Sequence, residues 1–140
     1  MSNIISENAP EPVGSYPHAR RVGNLLFLSG VGPRKKGLKE IPGVTLDENR
    51  NIISYDIEEQ CHAVFENVRH ILTSAGVRWE NLVDITIYLT NMKDDFPTFN
   101  RIYASYFPDK ATQPCRTTIG VNALPTPIAV ELKCVAVLDQ

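Results

Sequence analysis

The pattern of apolar and polar positions predicts a helix most firmly over Asp56–Ala75. Ile57, Cys61, Val64, Val68, Ile71 and Ala75 recur there at alternating spacings of four and three. That is a single apolar stripe at the helical period. Asp56 with Glu59 has the form of a capping box, and Gly76 supplies the stop. His62, Glu66 and His70 fall on the wet side of this helix. After a turn around Trp79, Val83–Leu89 alternates strictly. Its odd positions face a core, while Asp84, Thr86 and Tyr88 face something more polar. A second helix runs from a cap at Asp94 or Asp95 to Phe107, with Pro97 in its first turn and Pro108 as its stop. Phe96, Phe99, Tyr103 and Tyr106 or Phe107 form its inner face, with Asn100 beside them.

Two more alternating runs, 114–121 and 128–137, flank a Pro-rich turn. Arg116 and Thr118 share one face of the first run; Glu131 and Lys133 share one face of the second. A solitary arginine and a carboxylate inside an apolar strand are costly without partners. They can pair with each other, meet polar groups at a subunit boundary, or line a cleft. In a cleft, the arginine would grip an anionic substrate and the glutamate would handle a water.

Upstream, Asn24–Ser29 reads as a buried strand ended by Gly30. Backbone amides at Ser29-Gly30 suit a carboxylate or carbonyl oxygen. Residues 1–20 carry Pro10, Pro12, Gly14 and Pro17, which predicts an extended, irregular lead-in. Within it Tyr16 either covers a pocket or packs on the domain surface. Residues 33–51 read as a loop with a short strand or hairpin around Gly43–Ile53. The order is an α+β domain with two helices on one face of a mixed sheet. The other sheet face is half apolar, so a homo-oligomer packing those faces together is expected.

Composition changes this picture little. The 140 residues, 43% hydrophobic, suffice for one domain with a core. A net charge of −2 gives no footprint for nucleic acid. The run Arg34-Lys35-Lys36 reads as a solvated loop. No apolar stretch approaches the ~20 residues of a membrane span, and the first residues lack the pattern of a signal peptide. A cytoplasmic protein is therefore expected, without a membrane partner. Three cysteines make no disulfide framework. Cys61 and Cys134 read as core residues; Cys115 sits beside Arg116 but has no histidine near it in sequence to activate it. His18, His62 and His70 form no metal-binding pattern.

An ordered set of short pieces spans Glu7 to Val137. It comprises Glu7-Asn-Ala-Pro10, Gly14-Ser-Tyr16, Leu28-Ser-Gly30, Gln60-x-x-x-Val64-x-Glu66-Asn67-Val68 and Ala75-Gly76. It continues with Leu89-x-x-Met92-x-Asp94-x-Phe96-x-x-Phe99-Asn100, Tyr103-x-x-Tyr106-Phe107, Pro114-x-Arg116, Leu124-Pro125 and Val130-Glu131-Leu132. This set resembles the reactive intermediate deaminase (Rid) family. The resemblance implies a chorismate-mutase-like α+β homotrimer with three clefts between subunits. It also implies hydrolysis of enamines and imines to ketones and ammonia without a metal or organic cofactor. Arg116 falls on the family arginine that binds the substrate carboxylate, and a guanidinium suits that planar group. Glu131 falls on the glutamate that positions water. Tyr16, Ser29, Gly30 and Asn100 fall on pocket positions. Thr118 stands where the best-known branch has a cysteine, and Val31 where that branch has a glutamine after Ser-Gly. Those two departures bear on the substrate.

The branch most resembled is 2-aminomuconate deaminase, acting in aromatic-compound catabolism. It is matched by Tyr16-Pro17-His18, the loop with Arg34, Pro114-x-Arg116-Thr117-Thr118 and Leu124-Pro125-x-Pro127. Its product would be 4-oxalocrotonate. A substrate with two carboxylates calls for a second cation, for which Arg34, then Arg20 and His18, are the candidates. The alternatives are a general 2-aminoacrylate-type deaminase or a carboxylate-binding trimer without catalysis. A ribonuclease or translation inhibitor fits the acidic net charge poorly.

Overall fold

A computed structural model describes residues 2–139. Its strands are β1 (Ser2–Ile4), β2 (Ala19–Val22), β3 (Leu25–Leu28), β4 (Val44–Leu46), β5 (Ile52–Tyr55), β6 (Leu82–Leu89), β7 (Cys115–Gly120) and β8 (Val130–Val137). The helices are α1 (Ile57–Ser74) and α2 (Met92–Tyr106), with a 3-10 turn at Trp79–Asn81. Six strands form one sheet in the order β1-β2-β3-β8-β6-β7, and β4-β5 is a separate hairpin. Only β6 and β7 pair in parallel, across the connection that carries α2. The fold is therefore the expected α+β domain with a mixed sheet.

Strand β8 lies at the centre, and its alternation divides the molecule. Val130, Leu132, Cys134 and Ala136 are buried beneath the helices, together with Leu26, Leu28, Ile85 and Ile87 from neighbouring strands. Phe65 of α1 joins the two helices. Its ring stacks on Tyr106 at 4.3 Å between centroids and lies 6.1 Å from both Phe99 and Tyr103. The opposite sheet face has no helix over it. Leu25, Phe27, Val83 and Ile119 are exposed there.

Helix α1 starts and stops for local reasons. Asp56 accepts a hydrogen bond from the Glu59 N–H at 3.2 Å, while its own N–H donates to the Gly43 carbonyl at 2.6 Å. Half of the capping box is thus replaced by a tie to the β4-β5 hairpin. Gly43 has φ +71°, and a Cβ there would meet the Asp56 carbonyl oxygen at 2.8 Å. At the other end Val77 N–H bonds the Leu72 carbonyl and Gly76 N–H the Thr73 carbonyl, with Gly76 at φ +71°. That is a Schellman stop.

Four expectations need correction. The first twenty residues are not wholly irregular: β1 and β2 extend the sheet by antiparallel pairing onto β3. Val83 is exposed, because the β6-β8 register shifts between Leu82 and Asp84 and Leu82 takes the core position. Helix α2 is capped by Asn91, which accepts from the Asp94 N–H at 3.2 Å, and not by Asp94 or Asp95. The earlier start also moves Pro97 into the second turn. Asp95 instead points inward and accepts from the Tyr55 hydroxyl at 2.6 Å, fastening the hairpin to α2. Burial raises the Asp95 carboxyl above its ordinary value, and burial with the Asp95 bond pushes the Tyr55 hydroxyl up to about 12.

Phe65 is fully buried among five other aromatic rings. Phe65→Ala should lower stability by about 3–5 kcal/mol. Urea denaturation at fixed protein concentration measures this; a loss below about 1 kcal/mol would mean that the ring cluster does not hold α1 to α2.

Candidate active site

The geometry of the site begins with a bulge. Phe27 pairs with Val135 and Val31 with Leu132, so β3 takes one more step than β8 over this stretch. The extra residue falls around Ser29-Gly30. Val31 re-enters the ladder with reciprocal backbone bonds to Leu132 at 2.8 and 2.9 Å. Gly30 is thereby pressed against the side chain of Glu131. A Cβ on Gly30 would lie 2.8 Å from Glu131 Oε2 and 3.0 Å from its Cδ. Only glycine leaves that carboxylate its place.

Glu131 is half-buried and, among the described residues, makes no hydrogen bond or ion pair through its carboxylate. Burial alone raises its carboxyl above the ordinary glutamate value of 4.5. Lys133, on the same face, donates from Nζ to the Leu28 carbonyl, and burial lowers its ammonium below the ordinary value. A cavity of ≈ 50 Å³ opens beside Glu131, walled by Tyr16, Gly30, Arg34, Pro125 and Thr126. A second, of ≈ 40 Å³, lies behind it and shares Tyr16, Gly30, Gly32 and Arg34.

The wall opposite β8 is the lead-in segment, fastened from inside. His18 is buried; its Nδ1 accepts from the Ser6 N–H and its Nε2 donates to the Pro10 carbonyl, both at 2.8 Å. Those partners fix the Nε2–H tautomer and commit both ring nitrogens. Ser29 spends its hydroxyl on the Pro17 carbonyl at 2.7 Å and its N–H on the His18 carbonyl at 3.0 Å. The amide left over at the bulge is that of Gly30, for which no partner is seen among the described residues. Asn67, a buried residue of α1, donates from Nδ2 to the Gly32 and Arg34 carbonyls at 2.9 and 2.6 Å. It sets the path of the loop that brings Arg34 to the cavity. Arg34 itself bonds the Glu11 carbonyl at 2.9 Å.

Arg116 is elsewhere. It pairs in register with Ile85, and Thr118 with Ile87, on the helix face of the sheet. Glu131 pairs with Tyr88, on the opposite face. Side chains alternate along β6, so within one chain Arg116 and Glu131 point to different sides of the sheet. Arg116 donates from Nη1 to Asn100 Oδ1 at 2.7 Å and lies over the Tyr103 ring, 4.8 Å from its centroid. The candidate residues thus fall into two groups, two candidate half-sites on opposite sheet faces. One holds Glu131, Gly30, Tyr16, Arg34 and the adjoining Ser29; the other holds Arg116, Asn100 and Thr118. Their pairing with each other, left open by the sequence, does not occur within the chain.

Of the candidates for a second cation, Arg34 lines the Glu131 cavity and His18 is committed to the lead-in. Arg20 pairs with Phe27 and lies outside that cavity. Cys61 and Cys134 are buried core residues, and Cys115 is exposed on β7. Among the described residues, no group of three or more His, Cys, Asp and Glu side chains is arranged to hold a metal. No helix among them is long and apolar enough to cross a membrane. The residues that sequence reasoning passed over are Asn67 and His18 in their fastening roles. Asn67 had a signal: an amide among the positions flanking the apolar stripe of α1.

Fold and candidate half-sites together define a small α+β protein with a half-buried carboxylate, unpaired among the described residues, on one sheet face and an exposed arginine on the other. The family model described as Endoribonuclease L-PSP matches residues 6–138. The chain belongs to that family, which includes the RutC and Rid proteins. It is 38% identical over 138 residues to a RutC family protein of Aquifex aeolicus, covering 98% of this chain and 99% of the relative. It is also 38% identical over 135 residues to chloroplastic Reactive Intermediate Deaminase A of Arabidopsis thaliana, covering 96% of this chain and 65% of the relative. Among solved structures, E. coli TdcF with bound serine superposes with a TM-score of 0.84 at 27% identity, covering 99% of this chain and all of that one. The YjgF product of E. coli gives 0.82 at 27% identity, covering 98% of each chain.

A raised carboxyl value means that folding favours the protonated form, so ionised Glu131 costs stability. That cost is absent below the unfolded-state value and appears as pH rises through the folded one. Glu131→Gln should therefore raise the denaturation midpoint at pH 7, and the gain should vanish near pH 4. Thermal melts across that range test this; an equal gain at both ends would show that the carboxylate is not desolvated.

Proposed function

We propose that this protein hydrolyses an enamine or imine carboxylate to the keto acid and ammonia, in a site shared between copies of the chain. The reading rests on one observation above others: the half-buried Glu131 carboxylate packs on Gly30 at a cavity wall with no partner among the described residues. A structural glutamate in that position would be paired. A carboxyl raised by burial holds a proton more readily than an exposed glutamate, which suits a group that takes and returns one. The deaminase name of the Arabidopsis relative points the same way.

In the proposed reaction the enamine tautomerises to the imine and its carboxylate sits on Arg116. Glu131 removes a proton from water as the oxygen bonds to the imine carbon, giving a tetrahedral carbinolamine. Glu131 passes that proton to nitrogen. The hydroxyl proton then follows by way of the same carboxylate as the C=O bond forms and the C–N bond breaks, so that ammonia leaves with the keto acid. One water is consumed and Glu131 is regenerated. An imine is already electrophilic, so orientation and one acid/base group are the main requirements.

The proposal includes a homotrimer, because Arg116 and Glu131 occupy opposite sheet faces within one chain. Packing the uncovered faces around an axis would bury Phe27, Leu25 and Ile119 and set one copy's Arg116 half-site toward a neighbour's Glu131 half-site. The substrate we favour is a dicarboxylate such as 2-aminomuconate, with Arg34 as the second cation, because Arg34 borders the Glu131 cavity. A small 2-aminoacrylate-type substrate would leave Arg34 idle. A binder without catalysis would keep Arg116 but have no use for a titrating Glu131. The family description also carries an endoribonuclease reading. RNA cleavage that survives in Glu131→Gln and Arg116→Ala would favour it.

Ammonia release tests the proposal. Glu131→Gln should lower kcat by about 10²–10⁴-fold. Arg116→Ala should raise KM by roughly 10–100-fold, the loss of a charge-assisted contact. Mixed after unfolding and refolding, the two defective variants should recover roughly a quarter of the wild-type sites. No recovery would place the site within one copy and sink the shared-site reading. The acidic limb of the kcat profile should lie above pH 4.5, the ordinary value for glutamate.

Selectivity tests the finer claim. Arg34→Gln should weaken kcat/KM for 2-aminomuconate by roughly tenfold and leave 2-aminoacrylate turnover unchanged. Equal losses on both would remove Arg34 as a reader of the second carboxylate.

A further inference from the structure

Arg116 lies on the edge strand β7, exposed to solvent. An arginine so placed ordinarily samples many rotamers, and ordering it on binding weakens the complex. Here three residues of α2 converge on it. Phe96, Asn100 and Tyr103 are spaced i, i+4 and i+7, which puts them on one face of the helix. Asn100 Oδ1 takes one Nη1 hydrogen at 2.7 Å. The guanidinium carbon lies 4.8 Å from the Tyr103 ring centroid and 5.8 Å from that of Phe96, both within cation–π range.

We infer that Phe96 and Tyr103 are positioning residues for Arg116, which with Asn100 turn its Nε/Nη2 edge outward to take a carboxylate in two parallel hydrogen bonds. The inference rests on the carboxylate-binding role proposed above for Arg116. Asn100 occupies the Nη1 side, and no partner is seen among the described residues for Nε or Nη2. Two guanidinium edges match the spacing of carboxylate oxygens, and the side-on Nε/Nη2 edge is the one that does not use the Nη1 engaged by Asn100. Asn100 therefore acts through Arg116.

The hydroxyl of Tyr103 clarifies which part of that residue matters. It is buried and has no hydrogen-bond partner among the described residues. A buried hydroxyl without a partner costs stability, so it is not retained for a bond within the chain. Burial outweighs the nearby Arg116 charge and pushes the phenol up to about 12. The ring therefore stays neutral and holds the guanidinium by its face, without an ion pair. Tyr103 is also part of the Phe65 ring cluster, so the same aromatic packing that joins the helices aims the arginine.

The test compares Tyr103→Leu, Tyr103→Phe and Phe96→Leu in the full-length protein. Ammonia release is followed with 2-iminopropanoate made in situ from D-alanine by a D-amino-acid oxidase, and pyruvate binding by calorimetry. Tyr103→Leu and Phe96→Leu should each raise KM and the pyruvate Kd roughly 3- to 10-fold, with kcat within about twofold of wild type. Tyr103→Phe, which keeps the ring and drops the unpartnered hydroxyl, should bind as wild type and melt no lower. In an Arg116→Ala background, Tyr103→Leu should have no further effect on pyruvate binding.

The inference is overturned if Tyr103→Phe is as defective as Tyr103→Leu, or if both leucine variants bind pyruvate normally while Arg116→Ala does not. It is overturned equally if the loss in Tyr103→Leu persists undiminished without Arg116. Should Tyr103→Leu fail to fold, Phe96→Leu, at a half-buried position, carries the comparison. Unchanged pyruvate binding in Arg116→Ala would instead remove the carboxylate role itself, a different failure from that of the clamp.

Discussion

Everything in this molecule depends on the two-residue period of the central strand β8. Its even positions are apolar and buried beneath α1 and α2; its odd positions begin with Glu131 and Lys133 and continue with Val135 and Val137. A slip of one residue would send two charged groups into the core and four apolar ones to solvent. Register is therefore strongly specified, and the neighbours inherit it. Ile85 and Ile87 face the helices because they pair with Cys134 and Leu132, and Tyr88 faces away because it pairs with Glu131. The parallel strand β7 passes the choice on to Arg116.

That inheritance also limits what can be read without coordinates. Arg116 and Glu131 stand out in the sequence as charged residues in alternating strands, and the shared faces of Arg116 with Thr118 and of Glu131 with Lys133 follow from the period alone. Whether the two faces coincide does not, because it needs the pairing partners. The α1 stripe and its Gly76 stop were legible, since both are local. The β1 and β2 strands were not: β2 reads Ala-Arg-Arg-Val, with no apolar alternation, and is a strand only because β3 offers it a ladder. Val83 misled for a related reason, because a bulge inverts its face without any mark in composition.

The bulge at Ser29-Gly30 shows how a local irregularity becomes chemistry. Regular pairing would set a side chain beside Glu131, as every other residue of β3 does for its partner. The extra residue lets a glycine fall there, so the carboxylate lies against bare backbone, beside an amide with no partner among the described residues. His18, Ser29 and Asn67 then spend their hydrogen bonds on carbonyls of the surrounding loops, and none on the carboxylate. The polar groups around the cavity are thus used to build its wall. Among the described residues the carboxylate is left unsatisfied, which is the distribution the proposed function calls for, with stability given up for a site.

The two half-sites achieve rigidity by different means. Glu131 is fixed by its strand and by the Gly30 backbone against its carboxylate; Arg116 has a long side chain on an edge strand and must be held by contacts from α2. One of those contacts comes from Tyr103, whose ring also packs against Phe65, so the aim of the guanidinium is coupled to helix packing. Separating the groups onto opposite faces also keeps a single chain from neutralising its own charges. Within one copy a direct Arg116–Glu131 bond would satisfy both side chains and leave neither for a ligand. Held apart by the sheet, each stays available, which is what the shared site proposed above requires.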